Sequence, residues 1–119
     1  METFFHNKLY YYNIYNMALG TALLAECIGT IIFFSCILSW GEPIPIVVGL
    51  LAAIYGFGKI SGGHFNPAVS FMMLLKGDLT PIRFISYICA QLIGATLALL
   101  WWRGTLGKVV KASISTFKS

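Results

Sequence analysis

The segment SGGHFNPAV, residues 61–69, joins a glycine-rich stretch to a short apolar one. Glycines are frequent at 58–65 and disfavour a regular helix there, because glycine has the most backbone freedom to lose on folding. Asn66 is a favourable N-cap residue and Pro67 is a favourable first helical residue. The apolar residues that follow predict a helix from Pro67 to Leu75. This part of the chain is therefore predicted to be an irregular loop followed by a short, well-capped helix.

The composition of the chain is that of a protein embedded in lipid. Of its 119 residues, 58% are hydrophobic and 10% are charged, whereas soluble domains carry roughly 25% charged residues. A water-soluble protein of this size has too high a surface-to-volume ratio to bury so much apolar surface. We therefore expect a multi-pass integral membrane protein that contacts membrane lipids.

Three apolar segments are long enough to cross a bilayer, for which about 20 helical residues are needed. They are predicted at about 17–39, 44–60 and 81–102. Residues 1–16 have no clean hydrophobic period and predict a disordered or interfacial N-terminal arm. Residues 104–119 predict a polar, basic C-terminal tail.

Residues 58–76 lie between the second and third spans and include the short helix. Irregular backbone is tolerated at membrane depth only where protein covers it or where it lines a water-filled cavity. The segment is therefore predicted to be a re-entrant loop with a half-helix, which is typical of channels and transporters. The expected fold class is an all-α membrane protein, in which residues 17–103 form three transmembrane helices plus this re-entrant segment.

The remaining polar residues argue against several functional classes. The eight Lys and Arg residues fall mainly between apolar segments or in the tail, where lipid headgroups tolerate them. Nucleic-acid binding is therefore not expected. Cys27, Cys36 and Cys89 lack the spacing of a metal or redox pair. Because the polar residues at membrane depth include no nucleophile–base pair and no metal cluster, we expect no enzyme, no metal site and no cofactor.

The start of the short helix has chemistry suited to a water pathway. A helix N-terminus presents unpaired N–H groups and a partial positive charge of about half a unit. Near the bilayer midplane such a terminus orients water and opposes cations, and the Asn66 amide would add a donor. Gly62 and Gly63 let the backbone extend, so that carbonyls from Ser61 to His64 would accept hydrogen bonds from water. The His64 side chain is expected at the mouth of this pathway.

Three parts of the sequence, taken together, resemble the aquaporin family of major intrinsic proteins. KISGGHFNPAVS at 59–70 resembles the first Asn-Pro-Ala loop of that family. AECIGT at 25–30 is similar to its first-helix signature, and AQLIGA at 90–95 is similar to its third-helix signature. The motif residues are Asn66, Pro67 and Ala68. The resemblance covers residues 18 to about 102 and implies the first repeat, or N-terminal half, of such a channel.

The resemblance also implies a role for two polar residues inside the spans. A carboxylate in the middle of a span costs about 2.5–3.5 kcal/mol on insertion scales, so Glu26 is expected to serve function or a buried polar network. In the family, the matching glutamate accepts hydrogen bonds that brace the re-entrant loop. Gln91 is expected to hold the loop in a similar way, and neither residue is expected to conduct.

The sequence departs from the family pattern at two points. Full members contain two inverted repeats whose Asn-Pro-Ala loops meet at the midplane, and these residues show one such loop. The arginine filter of the family follows its second loop, whereas Val69 follows Ala68 here. The filter position on the second span, which is aromatic in strict water channels, falls on Ile46. Ile46 favours a wider, less water-specific pore.

The expected function is a passive transmembrane channel for water or small neutral solutes such as glycerol, completed by a second repeat from another chain. Two identical chains inserted in opposite orientations would make an inverted repeat, and four cations on either side leave orientation unbiased. The hypothesis is an antiparallel homodimer, a larger oligomer or a hetero-oligomer with aquaporin-type chains. The alternatives are a non-conducting truncated relative that modulates full-length channels, and a fragment of a longer protein.

Overall fold

The computed structural model describes residues 2–118, except for the side chains of residues 2, 4, 5, 11–17, 106 and 107. This part of the chain is helical throughout, apart from short turns and one loop. In chain order the helices are α1 (Glu2–Trp40), α2 (Pro43–Ser61), α3 (Pro67–Lys76), α4 (Pro81–Trp101), a π-helical segment (Trp102–Leu106) and α5 (Gly107–Lys118).

Three helical segments of the described chain are long and apolar enough to cross a membrane, and the third continues from α4 into the π-helical segment. The segments are Ala18–Trp40, Pro43–Ser61 and Pro81–Thr105, whereas α3 is apolar but too short. The predicted fold class, an all-α membrane protein with three transmembrane helices, is therefore confirmed. The half-helix α3 lies between the second and third spans in the chain.

Proline and glycine set the ends of the inner helices. Pro67 and Pro81 occupy the first turn of α3 and α4, where the missing N–H group removes no helical hydrogen bond. The preceding cap residue Asn66 accepts a hydrogen bond from the backbone of the next turn. Gly62 and Gly77 end α2 and α3 with φ of 96° and 93°, a left-handed conformation that glycine adopts without steric cost.

The contacts between helices define how the three spans run. Moving along α1 from Glu26 to Cys27 and Thr30, the neighbours on α4 advance from Gln91 to Gly94, so α1 and α4 are parallel. Moving along α1 from Glu26 to Cys36, the neighbouring residue on α2 changes from Ser61 to Gly49, which is earlier in the sequence. Helices α1 and α2 are therefore antiparallel.

The two ends of the chain are helical, which differs in part from the expectation. The described part of the predicted arm lies within α1, which begins at Glu2 and runs without a break into the first span. The sequence has no glycine or proline before Gly20 that would interrupt it. An interfacial position for this arm stays a prediction. The basic tail forms α5, from Gly107 to Lys118.

Gly94 allows the close approach of α4 to α1, and replacing it by alanine tests this packing. The added methyl group would lie 2.7 Å from the Cys27 carbonyl oxygen and 3.0 Å from Cβ of Thr30. We expect Gly94→Ala to lower the free energy of unfolding by about 1–3 kcal/mol, the usual cost of overpacking. The midpoint of thermal unfolding in detergent, followed by circular dichroism, measures this loss.

Gly20→Ala is the matched control, because a methyl group at Gly20 meets nothing within 4 Å. This change removes a flexible residue from α1 and is expected to keep or raise the unfolding midpoint. A Gly94→Ala variant as stable as the wild-type protein would contradict the close packing of α1 and α4.

Candidate functional site

The loop between α2 and α3 has an unusual backbone. Gly62 and Gly63 have φ of 96° and 69°, and Phe65 has φ of 53°. A bulky residue rarely adopts a left-handed conformation, which costs of order 1–3 kcal/mol. Phe65 is completely buried, and its ring lies directly against Gly29 of α1, where a methyl group would overlap with it. Burial of this ring stabilises the strained turn.

The carboxylate of Glu26 accepts four hydrogen bonds around this turn. Two come from the loop backbone, from N–H of His64 at 3.0 Å and N–H of Phe65 at 2.7 Å. The others come from Oγ of Ser61 at 2.6 Å and Nε2 of Gln91 at 2.9 Å. Glu26 is fully buried, and hydrogen bonds to an ionised group are the strong ones. The carboxylate therefore accepts hydrogen bonds from loop N–H groups that have no carbonyl partner within a helix.

A second set of hydrogen bonds ties the half-helix to the same group. Oγ of Ser70, on α3, lies 2.9 Å from Nδ1 of His64 and accepts a hydrogen bond from Nε2 of Gln91 at 2.9 Å. The Tyr87 hydroxyl donates to the Ser61 carbonyl at 2.7 Å, and its ring lies 5.1 Å from the His64 ring, centroid to centroid. The loop is thus held to α1, α3 and α4 together.

Sequence reasoning missed Ser70 and Tyr87. Ser70 lies one turn after the cap residue Asn66, and Tyr87 lies one turn before Gln91 on the same helix. Helical spacing of three or four residues places side chains on one face. That spacing from a predicted site residue is the signal that could have found both.

The structure brings together five of the predicted site residues. The side chains of Glu26, Ser61 and Gln91 and the backbone of Gly63 and His64 meet in the buried network, where N–H of Gly63 donates to Oγ of Ser61 at 3.2 Å. The His64 side chain is 8% exposed and bonded to Ser70, so it faces the network within this chain, and its place along a water pathway stays a prediction. The backbone carbonyl of Ser61 already accepts a hydrogen bond from Tyr87. The carbonyls of residues 62–64 have no hydrogen-bond donor among the described residues.

Ile46 does not join this network. It lies partly buried in the first turn of α2, fifteen residues before Ser61, or about 22 Å along the helix. Its side chain and the loop are therefore at different depths. A filter role for Ile46 stays a prediction.

The motif residues stand at the start of α3. Oδ1 of Asn66 accepts a hydrogen bond from N–H of Ala68 at 2.8 Å, and Pro67 has no N–H group. Nδ2 of Asn66 has no partner among the described residues, and Asn66 is partly exposed while Ala68 is exposed. A helix N-terminus with a free amide donor is thus presented at one side of the chain, next to the free carbonyls.

The opposite end of α3 carries charge that suits the helix dipole. Lys76 lies in the last turn and forms an ion pair of 2.8 Å with Asp78, both largely exposed. The hydrogen bond to Asp78 raises the pKa of Lys76, so this cation stays charged at neutral pH. A cation at a helix C-terminus is favourable, and α3 therefore ends in polar surroundings.

Glu26→Gln tests whether the carboxylate holds the loop. Glutamine offers one acceptor oxygen, and its NH₂ group would face a loop N–H donor, which leaves buried donors unpaired. We expect the free energy of unfolding to fall by at least about 2 kcal/mol, since each hydrogen bond to a charged group contributes about 1.5–3 kcal/mol. Thermal unfolding in detergent measures the loss, and amide hydrogen exchange at His64 and Phe65 should become faster.

Glu42→Gln is the matched control. Glu42 is exposed in the turn between α1 and α2, and its side chain forms no capping hydrogen bond. It should leave stability and exchange unchanged. Equal behaviour of the two variants would show that the loop does not depend on Glu26.

Comparison with known proteins places these features in a family. The family model for the major intrinsic protein matches residues 13–118. Rat (Rattus norvegicus) aquaporin-5 is 29% identical over 105 residues, covering 76% of this chain and 40% of that protein. The glycerol uptake facilitator protein-like 6 of Lactiplantibacillus plantarum is 40% identical over 84 residues, covering 63% and 39%. A probable aquaporin TIP3-2 of Arabidopsis thaliana is 50% identical over 56 residues, covering 47% and 21%.

The chain spans 40% or less of the length of these curated relatives. No solved structure matches it. The family model nevertheless covers all three spans, the loop and the half-helix. This integral membrane chain therefore belongs to the major intrinsic protein family.

Proposed function

We propose that this chain supplies one half of a passive transmembrane channel for water or small neutral solutes such as glycerol. The single observation that carries the proposal is the start of α3, where Asn66 presents a free amide donor at a helix N-terminus. Relatives named aquaporin and glycerol uptake facilitator support the substrate class. No chemical step is needed, because passage of a neutral solute requires only matched donors and acceptors.

Donors and acceptors at the loop suit a single file of water. The N-terminus of α3 and Nδ2 of Asn66 donate to a water oxygen, whereas the carbonyls of Gly62, Gly63 and His64 accept from water hydrogens. The partial positive charge of the helix terminus opposes cations. Glu26 and Gln91 hold the loop in this conformation without facing the solute.

The exposed side of the loop requires a second unit. Phe71, Met72 and Leu75 of α3 are 50%, 54% and 72% exposed, and in the proposed channel the irregular backbone beside them lies at membrane depth. Such backbone needs a protein cover or a water-filled cavity, and one copy of the chain covers only one side of it. A second repeat on the exposed side would supply the cover and close the pathway.

An antiparallel second copy is the partner we propose. The end of the bundle where α1 begins carries Lys8, Lys59, Lys76 and Arg83, and the end where α4 finishes carries Arg103, Lys108, Lys111 and Lys118. Lys and Arg bias sets membrane orientation, so an equal division permits both orientations. Two copies of Asn66 would then face each other across the midplane. A complete aquaporin-type chain is the alternative partner.

Osmotic shrinkage of vesicles that contain only the purified chain tests the channel. We expect faster shrinkage than in empty vesicles, and a return to the empty-vesicle rate for Asn66→Asp, because a carboxylate replaces the amide donor at the constriction. Asn7→Asp is the matched control, since Asn7 lies on the exposed N-terminal part of α1. Glycerol uptake by the same vesicles reports solute choice.

Two outcomes would contradict parts of the proposal. Water permeability equal to that of empty vesicles for the wild-type chain would remove the self-assembled pore. Tags on both termini, mapped by protease protection in cells, should appear on both sides of the membrane. A single orientation for each terminus would exclude the antiparallel homodimer and favour association with a complete channel.

A further inference from the structure

The junction between α4 and α5 forms a small basic cavity. Trp102, Arg103, Lys108 and Lys111 line a space of about 230 Å³. Arg103 belongs to the π-helical segment, whereas the two lysines belong to α5. Three cations and an indole ring therefore converge from both sides of the helix junction. We call these four residues the junction site.

Among the described residues, no ion pair neutralises the charges at the junction site, and Glu42, which follows α1 at the same end of the bundle, is exposed and forms none. No acidic residue follows Asp78 in the sequence. Asp78 pairs with Lys76, which is the ion pair that the structure shows among its described residues. Glu26 is buried in the loop network. Three like charges around one cavity repel each other, and an anion between them would relieve that repulsion.

The junction site lies at the edge of the membrane. The third candidate span ends at Thr105, between Arg103 and Lys108. Trp101 is 49% exposed beside it, and exposed tryptophans at the end of a span settle at the headgroup level. The anions at this depth are the phosphate and carboxylate groups of lipid headgroups, which attract cations close to a span.

Helix α5 has the pattern of a helix that lies on a membrane surface. Lys108, Lys111 and Lys118 lie on one side of α5 at helical spacing, Val110 and Phe117 lie seven residues apart on another side, and Ile114 lies between the two, next to Lys111 and Lys118. Phe117 is 92% exposed and Ile114 is 42% exposed. A basic face beside an exposed apolar face suits the boundary between headgroups and acyl chains.

We propose that the junction site binds the headgroup of an anionic phospholipid. Arg103, Lys108 and Lys111 contact the headgroup phosphate, Trp102 lies at the glycerol level, and the apolar face of α5 enters the outer acyl region. The bound lipid holds α5 along the membrane surface at the end of the third span. This binding does not depend on whether the chain conducts, and its test uses no permeability measurement.

Quenching of tryptophan fluorescence by brominated lipids tests the proposal. The full chain is reconstituted in phosphatidylcholine with the same fraction of brominated phosphatidylserine or of brominated phosphatidylcholine. We expect brominated phosphatidylserine to quench at a severalfold lower fraction, since one cation near an anionic surface gives about a fivefold preference. In the triple variant R103Q/K108Q/K111Q the two lipids should quench equally.

Two further variants guard the interpretation. K8Q/K59Q/K76Q removes three cations from the opposite end of the bundle and should keep the preference for phosphatidylserine. R103K/K108R/K111R keeps the positive charges and should also keep the preference for phosphatidylserine, even if the glutamine variant folds poorly. Circular dichroism measures the folding of each variant. A preference that survives R103Q/K108Q/K111Q, or that is lost equally in K8Q/K59Q/K76Q, would overturn the proposal.

The source of the phosphate is tested in the same vesicles. Excess inorganic phosphate should leave the lipid preference unchanged, because a membrane-bound headgroup is presented at high local concentration. Loss of the preference on adding inorganic phosphate, with sodium chloride of the same ionic strength as control, would overturn the lipid assignment in favour of a soluble phosphate. Equal quenching by both brominated lipids in the wild-type chain would overturn the site altogether.

Discussion

The four hydrogen bonds to the Glu26 carboxylate hold the irregular loop in place, and the half-helix starts where that loop puts it. Lipid offers no partner to the backbone N–H groups of His64 and Phe65, so these donors need an acceptor inside the protein. An ionised carboxylate has two acceptor oxygens, whereas a neutral amide side chain has one. The cost of placing a charge at membrane depth is offset by the donors that converge on it.

Close packing of helices makes this arrangement possible. Gly29 leaves room for the Phe65 ring, and Gly94 lets α4 approach α1 so that Gln91 reaches both Glu26 and the half-helix. Helices in lipid gain little from the hydrophobic effect between them, so tight contact and interhelical hydrogen bonds stabilise them instead. The small residues and the polar network therefore act together. The small residues let the helices come close enough for the hydrogen bonds to form, and the hydrogen bonds hold the helices at that short distance.

The side of the chain that faces away from this network is left open. Asn66 and Ala68 at the start of α3 and the apolar residues Phe71, Met72 and Leu75 along it are at least partly exposed, which suits the proposed half of an inverted pair. The basic junction at the end of α4 involves other residues, and in the proposed arrangement it faces the headgroup level. The two surfaces differ in chemistry, since one presents neutral donors and acceptors and the other presents unpaired cations.

Local features of the chain could be predicted because they depend on short stretches. Composition and segment length indicate lipid and three spans, and the pair Asn66 and Pro67 predicts where the half-helix starts. The lack of a hydrophobic period in residues 1–16 gave no sign of the helix that begins at Glu2 and continues into a span.

The sequence by itself therefore determined that the chain lies in lipid, where its spans are, and where the capped half-helix and the motif begin. Each of these features depends on residues that are close together in the sequence. Only the tertiary structure decided which groups meet. The donors to Glu26 come from up to 65 residues away, the roles of Ser70 and Tyr87 depend on how α3 and α4 pack, and the left-handed Phe65 is stabilised by a glycine on another helix. Such contacts follow from helix packing in three dimensions, which no local pattern specifies.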